Sequence, residues 1–225
     1  MPSNLGFRIL PHAPAPSAAL LAELACVATA HLSDNMQRMH AVAADIRPYH
    51  KGGRLVGPAL TVKVPPGDNL MVHKAIDIAR PGDVIVVDAG GILTQAIIGE
   101  IMSLHASTRG VAGMIIDGAI RDAGALAASD FPVYARGVTH RGPYKNGPGE
   151  INVPVAIGGF VIQPGDIIVG DEDGLVALAP EHAPALAKAA QAYAKKEEAV
   201  LAQIRAGTVD RSWVDQALRQ KGCEF

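Results

Sequence analysis

The sequence predicts a single α/β domain followed by a C-terminal helical arm. Three observations carry that reading. Short apolar, β-branched runs alternate with Ala- and Leu-rich stretches through the first two thirds of the chain, the order expected when helices cover a sheet. Four further apolar runs crowd between residues 153 and 178 with no helical stretch between them. From Glu181 to about Arg205, the residues Leu186, Ala190, Tyr193, Glu197, Val200 and Ile204 recur in steps of four and three, one stripe of a long helix. The chain therefore divides into an N-terminal arm (1–16), an α/β domain (17–180) and a helical arm (181–225).

Taken in order, Pro11, Pro14 and Pro16 predict an extended arm, and the first sixteen residues lack the basic-then-apolar order of a signal peptide. Ser17 to His31 reads as a helix with Ser17 as N-cap. It delivers Asp34, which is either the cap of a following short helix or a functional carboxylate. Arg47 to Gly57, broken by Pro48, Gly52 and Gly53, reads as a loop. Ala59 to Val64 is a strand by its β-branched content, stopped by Pro65-Pro66-Gly67. Asp68 caps a helix from Asn69 to Ala79, on which His73 reads as a packed histidine rather than a ligand.

Pro81-Gly82 turns into a buried strand, Asp83 to Asp88. Ala89-Gly90-Gly91 is a flexible break without the spacing of a phosphate loop. A helix lies between Thr94 and Thr108, and periodicity allows it to start at Thr94. Val111 to Ile116 is a buried strand bounded by Gly110 and Asp117-Gly118. A short Ala-rich helix to Ala128 and a strand Phe131 to Ala135 follow. Gly137 to Glu150 reads as a long surface loop, a candidate rim or lid. The last strands are Val153 to Ile157, Phe160 to Ile162, Asp166 to Val169 and Leu175 to Leu178. Pro81-Gly82-Asp83 and Pro164-Gly165-Asp166 read as one turn chemistry used twice, not as a duplicated domain.

Composition excludes several functions. In 225 residues, 49% hydrophobic and 19% charged content suits a sizeable core. A net charge of −2 without a Lys/Arg run argues against nucleic-acid binding. No apolar run approaches the ~20 residues of a membrane helix. Two unclustered cysteines, Cys26 and Cys223, suit a reduced cytoplasm.

The chemistry-bearing residues flank the strand at 111–116. Gly99-Glu100-Ile101-Met102 precedes it, and Arg121-Asp122 follows its carboxyl end, where α/β sheets bind ligands. A guanidinium grips a carboxylate in two places, and an adjacent Asp suits a hard divalent cation. On local grounds Arg121-Asp122 is equally well a helix-start decoration. Glu100, twenty intervening residues and then Arg121-Asp122 resembles the acidic-X20-Arg-Asp signature of the RraA-like family. That family includes the class II pyruvate aldolases of 4-hydroxy-4-methyl-2-oxoglutarate and 4-carboxy-4-hydroxy-2-oxoadipate. Leu55 to Ala59, Arg80 to Asp88 and Val169 to Val176 extend the likeness, which runs roughly from Leu20 to Pro180.

The resemblance implies an α-β-β-α sandwich similar to the phosphohistidine swivelling domain, assembled as a trimer or a hexamer of two trimers. It implies a helix starting near Gly99, with the amides of Gly99, Glu100, Ile101 and Met102 holding a pyruvyl carboxylate. Asp122 would anchor Mg²⁺ or Mn²⁺, and Arg121 would stabilise developing negative charge. Glu100, together with Asp34 and Glu197 from a neighbouring subunit, would orient the water that takes the C4-hydroxyl proton. The implied reaction is retro-aldol cleavage of a 4-hydroxy-2-oxo acid to pyruvate, with oxaloacetate decarboxylation as a second activity. Lys63, Lys74 and Lys145 lie outside the motif, which favours a metal-stabilised enolate over an imine. Glu100 departs from the family's aldolases, which often carry Asp there. The rival expectation is a non-catalytic, RraA-like regulator of a ribonuclease that acts by binding protein.

Overall fold

The computed structural model describes residues 4–225. The chain runs β1 (Phe7–Ile9), α1 (Ala18–Ala25), α2 (Thr29–Asn35), β2 (Arg47–Pro48), β3 (Leu55–Lys63), α3 (Leu70–Ile78), β4 (Val84–Asp88), β5 (Ala96–Ile98), α4 (Glu100–Thr108), β6 (Gly113–Ile120) and α5 (Ala123–Ala127). It continues with β7 (Val133–Val138), β8 (Gly149–Ile151), β9 (Val155–Ile157), β10 (Phe160–Ile162), β11 (Ile167–Asp171), β12 (Gly174–Leu178), α6 (Ala183–Arg205) and α7 (Ser212–Gln220).

The main sheet has the order β1-β8-β3-β4-β6-β7-β2, with β5 beside the end of β6. Strands β3, β4, β6 and β7 run parallel. Strand β3 serves two layers: Leu55 to Pro58 pair with β11, while Ala59 to Lys63 pair with β4. Alternation along the parallel strands explains their unbroken apolar character, because both faces are covered. Ile85 and Val87 of β4 face α3 and α4, whereas Val84 and Val86 face β9, β10, β11 and β12. A third core lies between β11–β12 and the helices α1, α2 and α6. The stacking is helices, sheet, sheet, helices: a mixed α/β fold in the α-β-β-α arrangement.

Several boundaries differ from expectation for tertiary reasons. Ser17 caps α1, accepting from the Leu20 amide at 3.3 Å. The predicted Ser17–His31 helix breaks at Cys26 to Ala28. It restarts where buried Asp171 accepts from both the amide (2.9 Å) and the hydroxyl (2.6 Å) of Thr29. Strand β3 begins at Leu55 and β2 occupies Arg47–Pro48, both inside the predicted loop. Strand β6 runs on through Asp117-Gly118 to Ile120, and β5 occupies part of the predicted helical stretch.

The paired turns are alike. Asp83 Oδ2 accepts from the Arg80 amide and Asp166 Oδ2 from the Gln163 amide, each at 2.8 Å. The preceding glycines take φ of +90° and +86°, a conformation that costs glycine little. In the N-terminal arm, of which residues 4–16 are described, the Phe7–Ile9 segment docks as a strand on β8. Among the described residues, no helix is long and apolar enough to cross a membrane.

Candidate active site

Two parallel strands, β5 and β6, end side by side, and each runs directly into a helix start. Ile98 leads through Gly99 into α4, and Ile120 leads through Arg121-Asp122 into α5. The Arg121 amide donates to Ile98 O at 3.0 Å, which locks the two exits together. Asp122 adopts φ 55°, ψ 37°, the left-handed region that non-glycine residues seldom occupy. That backbone turn brings its carboxylate to the start of α4, where Oδ2 accepts from the Glu100 amide at 3.0 Å. Such local strain clusters at ligand sites.

Gly99 is N-cap of α4, so the start expected from the resemblance is the one observed and the Thr94 start is not. Its smallness has a concrete cause. A Cβ there would lie 2.3 Å from Asp122 Oδ2 and 2.8 Å from Arg121 Cγ. The close approach that requires glycine is therefore to the Arg-Asp pair. Of the amides expected to face a ligand, that of Glu100 is already taken by Asp122. Ile101 and Met102 retain first-turn amides with no intrahelical acceptor.

The cavity at this junction has a volume of about 260 Å³. Its floor comes from Ile97, Ile98, Gly99, Ile101 and Met102, and one wall from Arg121 and Asp122. The other walls are Asn69 and His73 from α3 and its cap, and Gly142, Pro143 and Lys145 from the loop after β7. Asp68 holds that loop in place. The N-cap of α3 is Asn69 rather than the predicted Asp68; one Asp68 carboxylate oxygen instead accepts from the Leu70 amide at 3.0 Å in a turn just ahead of the helix. The other accepts from the amides of Asn146 (2.6 Å) and Gly147 (3.1 Å). The loop is thus a rim, anchored at its base.

Electrostatically the cavity suits an anion. Arg121 and Lys145 face one carboxylate, Asp122, and the start of α4 adds a partial positive charge. Arg121 Nε is buried without a hydrogen bond, with Asp122 Oδ2 at 3.6 Å. Burial, with Lys145 nearby, lowers the pKa of His73 and favours its neutral imidazole. Its Nε2 and the Asn69 Oδ1 are also buried and unpartnered. Unpaired buried polar atoms in one cavity point to a polar ligand.

Three sequence readings need correction. His73 was expected to be packed and satisfied, yet it lines the cavity with Nε2 free. Lys145 was placed outside the motif, yet the loop brings it to the cavity wall, so sequence distance gives no ground for dismissing an imine. Asp34 is not a cap. It lies inside α2 and pairs with Arg38 Nε at 2.9 Å. The side chains of Glu100, Asp34 and Glu197 do not line this chain's cavity. Glu197 Oε2 lies 2.5 Å from His31 Nε2, 166 positions away in the sequence, and its side chain is 53% exposed. Asn69 was not singled out at all; its place at the start of the predicted helix, just after Asp68, was the only available signal.

As to metal, Asp122 is the fitting ligand. Among the described residues no three His, Cys, Asp or Glu side chains gather as a metal cage. Magnesium, however, commonly uses one or two carboxylates and fills its remaining positions with water and substrate oxygen.

Residues 29–177 match the family described as RraA-like: Aldolase/RraA. A protein of Halalkalibacterium halodurans named "Putative 4-hydroxy-4-methyl-2-oxoglutarate aldolase" is 46% identical over 152 residues, 68% of this chain and 72% of that one. An uncharacterized protein from Pseudomonas syringae pv. tomato superposes with a TM-score of 0.78 at 30% identity, covering 88% of this chain and 94% of the other. The RNA-processing inhibitor RraA from Thermus thermophilis superposes with a TM-score of 0.63 at 31% identity, covering 67% and 92%. Sequence match, shared architecture and the Arg121-Asp122 exit from β6 agree: the chain belongs to the RraA-like family.

Proposed function

We propose that this protein is a divalent-metal-dependent pyruvate aldolase. It cleaves a 4-hydroxy-2-oxo acid such as 4-hydroxy-4-methyl-2-oxoglutarate or 4-carboxy-4-hydroxy-2-oxoadipate, and decarboxylates oxaloacetate as a side reaction. The observation that carries the reading is the Arg121-Asp122 pair held against the start of α4 in a cationic cavity of about 260 Å³. The aldolase name of the H. halodurans relative supports it.

In this reading the amides of Ile101 and Met102 hold the pyruvyl carboxylate. Arg121, whose Nε has no hydrogen bond of its own, stabilises negative charge developing on the 2-oxo oxygen as the C3–C4 bond breaks. Lys145, with neutral His73 and Asn69 beside it, receives the second carboxylate of a dicarboxylic substrate. Asp122 would hold Mg²⁺ or Mn²⁺, which would supply Lewis-acid chemistry to the reaction. Glu100, with Asp34 and Glu197 from a neighbouring subunit, orients the water that accepts the C4-hydroxyl proton. Such sharing requires a homotrimer or hexamer.

The deciding experiment is pyruvate release from a panel of 4-hydroxy-2-oxo acids and oxaloacetate, with and without Mg²⁺. Metal-dependent turnover of at least one of them, lost in Arg121→Ala, supports the proposal. The likeness to RraA favours a second reading, a regulator that binds an RNA-processing enzyme without chemistry. That reading gains if no substrate turns over with metal and the protein captures such an enzyme.

A further inference from the structure

The contact between α2 and α6 bears on how a shared site would be armed. His31 Nε2 and Glu197 Oε2 are 2.5 Å apart across 166 positions of sequence. The histidine side chain is only 15% exposed, whereas the glutamate is 53% exposed. The imidazole ring lies against Tyr193, one turn before Glu197 on α6, with centroids 5.5 Å apart at 52°. The carbonyl of His31 accepts from Asn35 Nδ2 at 2.8 Å, which ties the last turn of α2 back onto it. The imidazole is thus held by packing while the carboxylate end of the pair faces outward.

A glutamate on an open helix face ordinarily samples several rotamers, and freezing it costs free energy. His31 has already met that cost. Asp34 stands three positions after His31 on α2, the spacing that shares a helix face, and Arg38 holds it at 2.9 Å. Two carboxylates far apart in sequence are therefore presented by one helix pair, Glu197 against a packed imidazole and Asp34 in an exposed pair with Arg38.

We propose that His31 is the positioning residue for Glu197: it holds that carboxylate in the single rotamer presented to the neighbouring subunit's cavity. The inference rests on the shared-site reading above and goes beyond it by assigning a residue that makes no contact with substrate. The geometry also accounts for the polar residue within the apolar stripe of α6. At Tyr193 and Glu197 the stripe meets α2, where His31 receives the carboxylate, whereas Val200 and Ile204 beyond it are exposed. Tyr193 completes the setting by limiting the movement of the ring.

The test is a double-mutant cycle on the intact oligomer, with steady-state kinetics on oxaloacetate and on the best 4-hydroxy-2-oxo acid. His31→Leu removes the hydrogen bond and keeps apolar bulk. It is expected to lower kcat on the order of tenfold, the scale of a lost charge-assisted bond and a freed rotamer, with KM unchanged. His31→Gln, whose amide can still donate, should recover most of kcat. In the Glu197→Ala background, His31→Leu should add nothing further. Wild-type kcat in His31→Leu while Glu197→Ala is impaired overturns the positioning role and leaves the shared site standing. An additive loss in the double variant, or an effect on KM alone, also overturns it. If Glu197→Ala is itself fully active, the shared-site assignment of Glu197 fails and the inference falls with it. Native mass and melting temperature of each variant separate these outcomes from loss of assembly.

Discussion

Replacing Gly99 by alanine perturbs the site through one atom. The backbone at Gly99, φ −151° and ψ −160°, is extended and open to any residue, so conformational strain contributes nothing. The added Cβ would lie 2.3 Å from Asp122 Oδ2, where 3.0–3.4 Å is already a tight contact. The carboxylate must retreat by roughly 0.7–1.1 Å, which breaks its bond to the Glu100 amide. Misplacing a catalytic group by about 1 Å costs on the order of 10²-fold in rate. The fold loses much less. Overpacking costs about 1–3 kcal/mol, and Asp122 is 41% exposed and can swing outward, which favours the lower end. For a chain of this size that end corresponds to a fall in Tm of roughly 2–4 °C. The assay is Mg²⁺-dependent pyruvate release from oxaloacetate, with the metal titrated and Tm measured by scanning calorimetry. Gly124→Ala is the control, because a Cβ there meets nothing within 4 Å. In the short helix α5 it should be neutral or stabilising by ~0.5–1 kcal/mol. Wild-type kcat and metal affinity in Gly99→Ala would refute the claim that this glycine is needed to seat Asp122.

Asp122→Ala should abolish metal-dependent turnover and reduce Mg²⁺ binding in calorimetry; it should lower Tm by several degrees at most, roughly 2–4 °C per kcal/mol, because it loses the bond to the Glu100 amide and places alanine at φ 55°; full activity in EDTA would sink the metal mechanism. Borohydride added during turnover should trap no adduct at Lys145, and a reduced pyruvyl-lysine found there by mass spectrometry would establish the imine route instead. Asp122→Ala, inactive alone, and Glu197→Ala, measurably impaired alone, should together regain part of wild-type activity when mixed and reassembled; no recovery in proven hetero-oligomers means that both residues serve one chain's site or that Glu197 has no catalytic role. Burial raises the pKa of Asp166 above 3.8, helped by nearby Glu181 and opposed by the Gln163 amide. The native state then holds that proton more tightly than the unfolded chain, so stability falls as pH rises through the window between the two values. Asp166→Asn keeps an acceptor for the Gln163 amide and removes this slope, so the Tm of the variant minus that of wild type should rise across that window; a difference that stays flat or falls with rising pH contradicts the burial argument.

The local sequence determined the parts of this protein that repeat with a period. Asp83 to Asp88 and Val111 to Ile116 read as buried strands because Val84 to Val87 and Val111 to Ile116 are unbroken runs of apolar or small residues; that the second strand runs on through Asp117-Gly118 to Ile120 was not legible. The steps of four and three marked the helix α6, but its buried residues are Ala183, Ala187 and Ala190, while Tyr193, Val200 and Ile204 of the stripe are exposed. Arg121-Asp122 stood out because it follows a strand's carboxyl end at a fixed distance from Glu100. Tertiary structure decided what depends on segments meeting. The break after α1 follows from Thr29 finding Asp171 across 142 positions, and no local signal encodes that. Strand β5 exists because β6 offers it an edge; alone, Ala96–Ile98 is too short to declare itself. His73, Asn69 and Lys145 enter the cavity because Asp68 folds the loop after β7 back over α3, and Glu197 gains its partner because α2 packs on α6. Periodicity reports which face of one element is dry, whereas a site is made where several elements end, and its membership depends on contacts between residues far apart in the chain.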